Sequence, residues 1–425
     1  MAALALLLPA APTLDTGAHL ALALAIILAV AKVGGDLAER AGQPAVLGEL
    51  IAGVGLGAIQ LAGVGWLGTV KSDVTIDGFA QIGVILLLFE IGLESTVGEM
   101  RKVGGRAFTV AVLGVVAPWL LGWGVGSVLL PDHSIYLHIF LGAILTATSV
   151  GITARVLRDL GASQSPEARI ILGAAVIDDV LGLVILAVVA SVIHSADSGS
   201  AISVVAIGWV LFKALAFLFG ALWIGQVVSP RLFSLASRLR GASVLLVTAL
   251  IFCFAMAALA AMIGLAPIVG AYAAGLILEK FHFRDFETRG ERPLEDLIRP
   301  ISGFLVPVFF VLMGMRVDLT AFGHTSSLGL ALALIVAAIV GKQICALGAL
   351  GTTLDRLTIG IGMIPRGEVG LIFANIGLGL TVHGEHIVDQ GMFSTVVIVV
   401  MVTTVVTPPA LKWSLSRRGR RVASP

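Results

Sequence analysis

The chemistry in this chain sits where water should be scarce. Asp178 and Asp179 are neighbours in AAVIDDVLG, inside the otherwise apolar segment 170–193. By insertion scales each carboxylate costs roughly 2.5 to 3.5 kcal/mol at the centre of a membrane helix. One buried ion pair would explain only one of them. Successive helix positions point about 100° apart, so one carboxylate can face a cavity while the other turns to a partner helix. Carboxylate oxygens are hard ligands that suit Na+ or Li+ and also bind H+. The pair is therefore a place where a cation and a proton compete. A mid-segment lysine, Lys342 in IVAAIVGKQICALG, also needs a counter-charge. A Lys342–Asp178 contact is expected, and the ammonium can at the same time neutralise helix-end dipoles. Arg366 and Glu368, in IPRGE, either pair with each other or cap the ends of an interrupted helix.

Four more charges fall in or beside apolar runs. Glu90, in LLLFEIGLE, is placed to line a cavity, and Glu94 lies near a wetted helix end. Glu49, in LGELIAGVGLGA, suits a helix crossing or a dimer face. Lys213 can snorkel. Cys253 and Cys345 are isolated and form no CxxC, so neither a redox nor a zinc site is expected.

The elements that carry these residues follow from composition. Of 425 residues, 58% are hydrophobic and only 12% are charged, with mean hydropathy +1.05. An ordinary soluble domain has about 25% charged residues. This composition implies an all-α polytopic membrane protein and excludes a disordered chain or a disulfide scaffold. A formal net charge of +1 gives no reason to expect a nucleic-acid partner. The opening stretch MAALALLLPAAPTLD lacks a basic residue ahead of its apolar run, so it reads as a short uncleaved leader.

A spanning helix needs about 20 mostly apolar residues. Thirteen segments qualify: 17–34, 44–63, 79–97, 107–129, 136–157, 170–193, 202–227, 242–263, 265–279, 300–315, 327–350, 356–380 and 390–411. The run 242–279 is split near Gly264-Leu265-Ala266-Pro267. Charge asymmetry supports the split. With thirteen spans, 22 of the 27 Lys and Arg residues fall in loops and helix ends on one side, and two, Lys71 and Arg316, on the other. The positive-inside rule then puts the N-terminus outside and the basic tail 412–425 in the cytoplasm of a cell (inner) membrane. The polar loop 280–299 reads as a cytoplasmic connector with a short amphipathic helix.

Thirteen spans divide as six, one and six. Spans 1–6 and 8–13 then correspond with opposite orientation, which is an inverted repeat. Span 5 is interrupted by TATSVGIT (146–153) and its counterpart, span 12, by GIGMIPRGE (360–368). Paired interruptions at mid-depth free backbone groups that only a cavity can satisfy, and they mark a transport site.

The motifs GELIAG (48–53), LLLFEIGLE (86–94), TATSVGIT, Asp178-Asp179, FFVLMGM (309–315) and PRGE (365–368) resemble the monovalent cation:proton antiporter-2 family, and most of all its NapA-type Na+/H+ antiporters. The resemblance covers about residues 17–411 in order. It implies a core domain of 107–193 plus 327–411, a dimerisation domain of 17–97 plus 202–315, and a homodimer. It implies that the broken spans cross at mid-membrane, with Asp179 the main ion-binding carboxylate and Asp178 the partner of the lysine. Thr148 and Ser149 match the unwound stretch that flanks the ion. No cofactor is implied. The implied activity is exchange of Na+ or Li+ for H+ by alternating access, and the implied alternative is K+/H+ exchange on the same scaffold. The potassium branch usually carries Gln-Asp and a nucleotide-binding domain; here Asp-Asp and an end at Pro425 favour sodium. A passive channel fits the Asp-Asp/Lys set poorly. An intramembrane aspartyl protease needs facing carboxylates, and adjacent residues on one helix diverge.

Overall fold

The computed structural model describes residues 16–93, 97–198, 204–239, 243–278, 292–317, 325–351, 354–378, 380–382 and 385–422. The described residues are almost wholly helical. The helices are α1 (Thr16–Arg40), α2 (Ala45–Leu61), α3 (Gly65–Ser72), α4 (Val74–Leu93), α5 (Val97–Leu129), α6 (Ile135–Thr146), α7 (Val150–Asp159) and α8 (Pro166–Ser198). They continue as α9 (Val204–Ala236), α10 (Val244–Met262), α11 (Pro267–Ile277), α12 (Leu294–Met315), α13 (Thr325–Cys345), α14 (Arg356–Gly362), α15 (Gly367–Leu378) and α16 (Gln390–Val422). A two-residue hairpin, Thr381–Val382 against Glu385–His386, sits between α15 and α16.

Where their residues are described, the thirteen apolar segments fall largely on helix. Among the described residues, eight stretches are long and apolar enough to cross a membrane by themselves. Others are shorter: α2 has 17 residues, α11 has 11, and the second interrupted segment is split into α14 with 7 and α15 with 12. The leader, Glu94 and most of the 280–299 loop lie outside the described residues. The short helix α3 has too few apolar residues to announce itself as a span. The division of 242–279 is real, and its cause is local. Gly264 adopts φ +90, Leu265 N–H donates to Ala260 O (2.9 Å), and Gly264 N–H donates to Ala261 O (3.0 Å). Those two bonds close α10 with a Schellman turn, and Pro267 opens α11 where its missing N–H costs nothing.

The helices pack in two groups. In one, α5 packs on α6, α8 and α13, and α16 packs on α13 and α15. In the other, α12 packs on α2 and α4, α11 on α4 and α10, and α1 on α2. The α2–α12 contact is backbone on backbone. A Cβ at Gly53 would strike the Val311 carbonyl, and one at Gly314 would strike the Leu50 carbonyl. Small residues that let main chains touch are the usual way to bind helices where apolar burial gives no drive.

The basic tail is not a loose appendage: α16 continues through Val422 and docks on α14. Thr358 and Ser414 hydroxyls lie 2.7 Å apart, and Arg417 Nη2 lies 3.2 and 3.3 Å from the two oxygens of Asp355. Asp355 also caps α14 by accepting from Leu357 N–H at 3.1 Å. Burial pushes the Asp355 carboxyl up, but the bonds from Arg417, Thr358 and Leu357 outweigh it and hold the group below its ordinary value.

Two outcomes follow from this packing. Gly53→Val should overpack the α2–α12 contact by about 1–3 kcal/mol and lower the melting midpoint in detergent, whereas Gly303→Ala on α12, where a Cβ meets open space, should leave it unchanged. A depressed carboxylate stabilises above its unfolded pKa, and that stabilisation is lost as pH falls through the folded one. A spin label at position 416 should therefore be immobile at neutral pH and become mobile only once pH falls past the ordinary aspartate value of about 3.9 and through the lowered one; in Asp355→Asn it should be mobile throughout.

Candidate ion site at the crossing of two broken helices

Both predicted interruptions are present. The first lies between α6 and α7, where Ala147 (ψ 139) and Ser149 (ψ 103) leave helical geometry. The second lies between α14 and α15, where Ile364, Pro365 and Arg366 are non-helical. The breaks touch. Ser149 N–H donates to Pro365 O at 2.7 Å, Thr153 Oγ1 donates to Gly362 O at 2.7 Å, and Thr148 Oγ1 lies 3.4 Å from Met363 O. On the far side, Thr404 Oγ1 accepts from Gly367 N–H at 3.2 Å. Pro365 brings no N–H of its own to satisfy.

An interrupted helix leaves its last carbonyls without intrahelical donors. At the end of α6 two buried cations serve them. Arg366, fully buried, donates Nη1 to Leu145 O and, at 2.8 Å, to Ala147 O, and Nη2 lies 3.5 Å from Ala338 O. Lys342 Nζ donates to the intervening carbonyl, Thr146 O, at 2.7 Å. Positive charge at a helix C-terminus is also the favourable sign for the macrodipole.

Lys342 has a second partner. Its Nζ lies 3.3 and 3.4 Å from the two oxygens of Asp178, and both residues are buried at 2% exposure or less. The Thr148 side chain also reaches the Asp178 carboxylate. Both roles open to Lys342, carboxylate partner and helix-end cation, are occupied at once. Asp179 is only half-buried on the same helix, α8. The formal charges of Asp178, Asp179, Lys342 and Arg366 sum to zero, so an added cation leaves a surplus charge in a low-dielectric setting unless a proton departs.

The remaining candidates fall elsewhere. Glu90, on α4, takes Arg158 Nη1 on Oε2 and Ser302 Oγ on Oε1 at 2.8 Å. Glu49, on α2, takes Arg155 Nη2 at 3.1 Å. Glu368 starts α15, and its side chain lies outside the described residues; Lys213 is half-buried in α9. Arg155 and Arg158 escape a reading by segments because they fall among the basic residues that flank span 5. The available signal is that Glu49 and Glu90, deep in apolar runs, each require a counter-charge. Thr153 and Thr404 carry no signal, since lone threonines commonly back-bond inside membrane helices.

Comparison with known proteins agrees with this architecture. The sequence pattern of the family described as sodium/hydrogen exchanger, transmembrane, matches residues 23–417. The high-affinity Na(+)/H(+) antiporter NhaS3 of Synechocystis is 36% identical, over 92% of this chain and 88% of its own length. The Na(+)/H(+)-K(+) antiporter GerN of Bacillus cereus is 35% identical, over 93% of this chain and 96% of its own. A solved structure of the sodium proton antiporter MjNhaP1 from Methanocaldococcus jannaschii shares the fold with TM-score 0.62 at 17% identity, covering 93% of this chain and 99% of that one. The chain therefore belongs to the sodium/hydrogen exchanger family of transmembrane proteins, and it is a transporter rather than an enzyme.

Proposed function

We propose that this chain exchanges Na+ or Li+ for H+ across the cell membrane by alternating access, with Asp179 as the carboxylate shared by cation and proton. The observation that carries the reading is the Asp178–Lys342 pair at the crossing of two broken helices, with a second carboxylate beside it on α8. Among the described residues no three His, Cys, Asp or Glu side chains group to hold a metal ion. A cation at Asp179 and Asp178 would complete its shell with hydroxyls such as Thr148 and Ser149, with carbonyls and with water. Lys342, Arg366 and Glu368 are the proposed charge-balancing groups; Glu90, the other candidate, is already engaged by Arg158 and Ser302. The proposed topology is thirteen crossings with the N-terminus outside, supported by the 22-to-2 division of basic residues, and an inverted repeat, supported by the paired interruptions of spans 5 and 12. The proposed moving core is 107–193 plus 327–411. The rest of the helical region, 17–97 plus 202–315, is the proposed scaffold of a homodimer.

Charge balance extends the reading to stoichiometry. With Asp179 protonated and Asp178 paired to Lys342, an arriving Na+ takes the Asp179 carboxylate and releases its proton. A second proton leaves if Lys342 gives up its own as Asp178 turns to the ion. Two H+ for one Na+ moves net charge, worth about 2.3 kcal/mol per 100 mV of membrane potential. K+/H+ exchange is the second reading, favoured by the 35% identity to GerN, whose printed name includes K(+).

Proteoliposomes test the function directly: proton flux is recorded on addition of Na+, Li+ or K+, with and without an imposed potential. Na+ should drive proton movement, and Asp179→Asn should abolish it while the protein still inserts and melts cooperatively; wild-type rates in that variant would remove Asp179 from the site. Reversal potentials should give two protons per Na+ in the wild type. Lys342→Gln should slow exchange and bring it toward electroneutrality. A one-to-one ratio in the wild type would refute the two-proton scheme.

A further inference from the structure

Helix α7 packs on α8 and α16 of the first group and on α2 and α4 of the second, and two ion pairs from it reach that second group. Arg155 Nη2 reaches Glu49 Oε1 on α2 at 3.1 Å, and Arg158 Nη1 reaches Glu90 Oε2 on α4. The arginines are three residues apart and share a face of the helix. Each is aimed by its surroundings. Arg155 Nε is held by Asp159 Oδ1 at 2.8 Å one turn on, and its guanidinium lies 6.0 Å from the centre of the Phe310 ring on α12. Glu90 is steadied by the Ser302 hydroxyl, also on α12. The contact is well buried: Arg155 is 8% exposed, Glu49 3% and Glu90 7%. The other end of α7 is the first break, where Ser149 meets Pro365. One short helix thus links the ion site at its N-terminus to the opposite packing group at its C-terminus.

The seam also carries a hydrogen bond from Lys412 Nζ on α16 to Gly42 O between α1 and α2, and it has one apolar stretch that is different in kind. Beside Glu49 it opens into a crevice where Leu50, Val54 and Met313 face Val397, Val400 and Met401. Apolar walls can slide with little change in energy, because no polar group loses a partner. Buried ions cannot: a half-separated pair has lost its partner and has not yet gained water. Once water enters, each ion is hydrated and the cost falls. A contact of this type has two favourable arrangements, made and fully parted, and gives a discrete switch.

We propose that Arg155–Glu49 and Arg158–Glu90 form a two-point ionic latch that holds the ion site closed toward the α7 C-terminal side and parts once in every transport cycle. The latch rests on the alternating-access reading above. It makes these four residues determinants of which side the site faces, and not ligands of the ion.

The test uses the full chain in proteoliposomes of uniform orientation, with the apparent KM for Na+ measured from each face. Glu49→Gln combined with Glu90→Gln should favour the state open on the α7 C-terminal side. The apparent KM should fall on that face and rise on the other, changing their ratio about tenfold, a size typical of coupling between contacting residues. The exchanged pair Arg155→Glu with Glu49→Arg should bring the ratio back toward that of the wild type, and Arg158→Lys, which keeps the charge, should shift it least. Because the exchanged variant retains both charges, it guards against a result that comes only from misfolding. Equal KM changes on both faces, or a lowered melting midpoint with an unchanged ratio, would overturn the latch. A wild type that shows no cation-driven proton flux would instead overturn the transport reading beneath it.

Discussion

Three consecutive carbonyls at the end of α6 govern the arrangement of charge in this molecule. Leu145, Thr146 and Ala147 end a helix inside an apolar chain, where no water is at hand to take their lone pairs. Arg366 serves the first and third, and Lys342 serves the second. Once two cations are fixed there, burial demands compensating charge, because an isolated ammonium in a low-dielectric interior is far more costly than a paired one. Asp178 supplies it for Lys342. The charge web is a consequence of the break, and the break exists because a continuous helix would have no free backbone groups at this depth.

The two kinds of helix end are treated differently. The C-terminal end of α6 receives full positive charges, as the macrodipole favours. The N-terminal ends of α7 and α15 receive neutral acceptors: Pro365 O takes Ser149 N–H beside α7, and Thr404 Oγ1 takes Gly367 N–H at the start of α15. In the proposed exchange Asp178 acts through a lysine whose contact can be made or relaxed, and a bound cation would compete with protons on the same oxygens, so that coupling needs no distant signal.

Much of this was legible before any coordinates. The interruptions were visible because hydroxyl, glycine and proline residues stand out in apolar segments, and the Asp178–Lys342 contact was legible because a buried lysine has few possible partners. The ends of the helices were less so: α16 runs past residue 411 because Ser414 and Arg417 find Thr358 and Asp355, partners 56 and 62 residues away that no local pattern shows. The arginine pairs were hidden for a related reason. Arg155 and Glu49 are 106 residues apart, and Arg158 and Glu90 are 68 apart. In a membrane chain a basic residue near a helix end already has a sufficient explanation in topology. A sequence read by segments assigns it that role and stops, although the matching surplus of buried glutamates on α2 and α4 remains unexplained.

The charged contacts then sort by what each must survive. Lys342–Asp178 and Arg366 with its carbonyls lie inside one packing group, and relative motion of the groups leaves them intact. Arg155–Glu49 and Arg158–Glu90 join α7 to α2 and α4, and in the proposed cycle they are the contacts that part. The chemistry at each place suits that difference. Inside the group the cations are fully buried, where the strength of a charge-assisted bond is greatest and a lost partner is costliest. At the seam the Arg158 side chain keeps 22% exposure, so water can reach the pair as it separates. Arg155–Glu49, at 10% and 4% side-chain exposure, is nearly as dry as the inner pair, so water reaches the tether first at its Arg158 end.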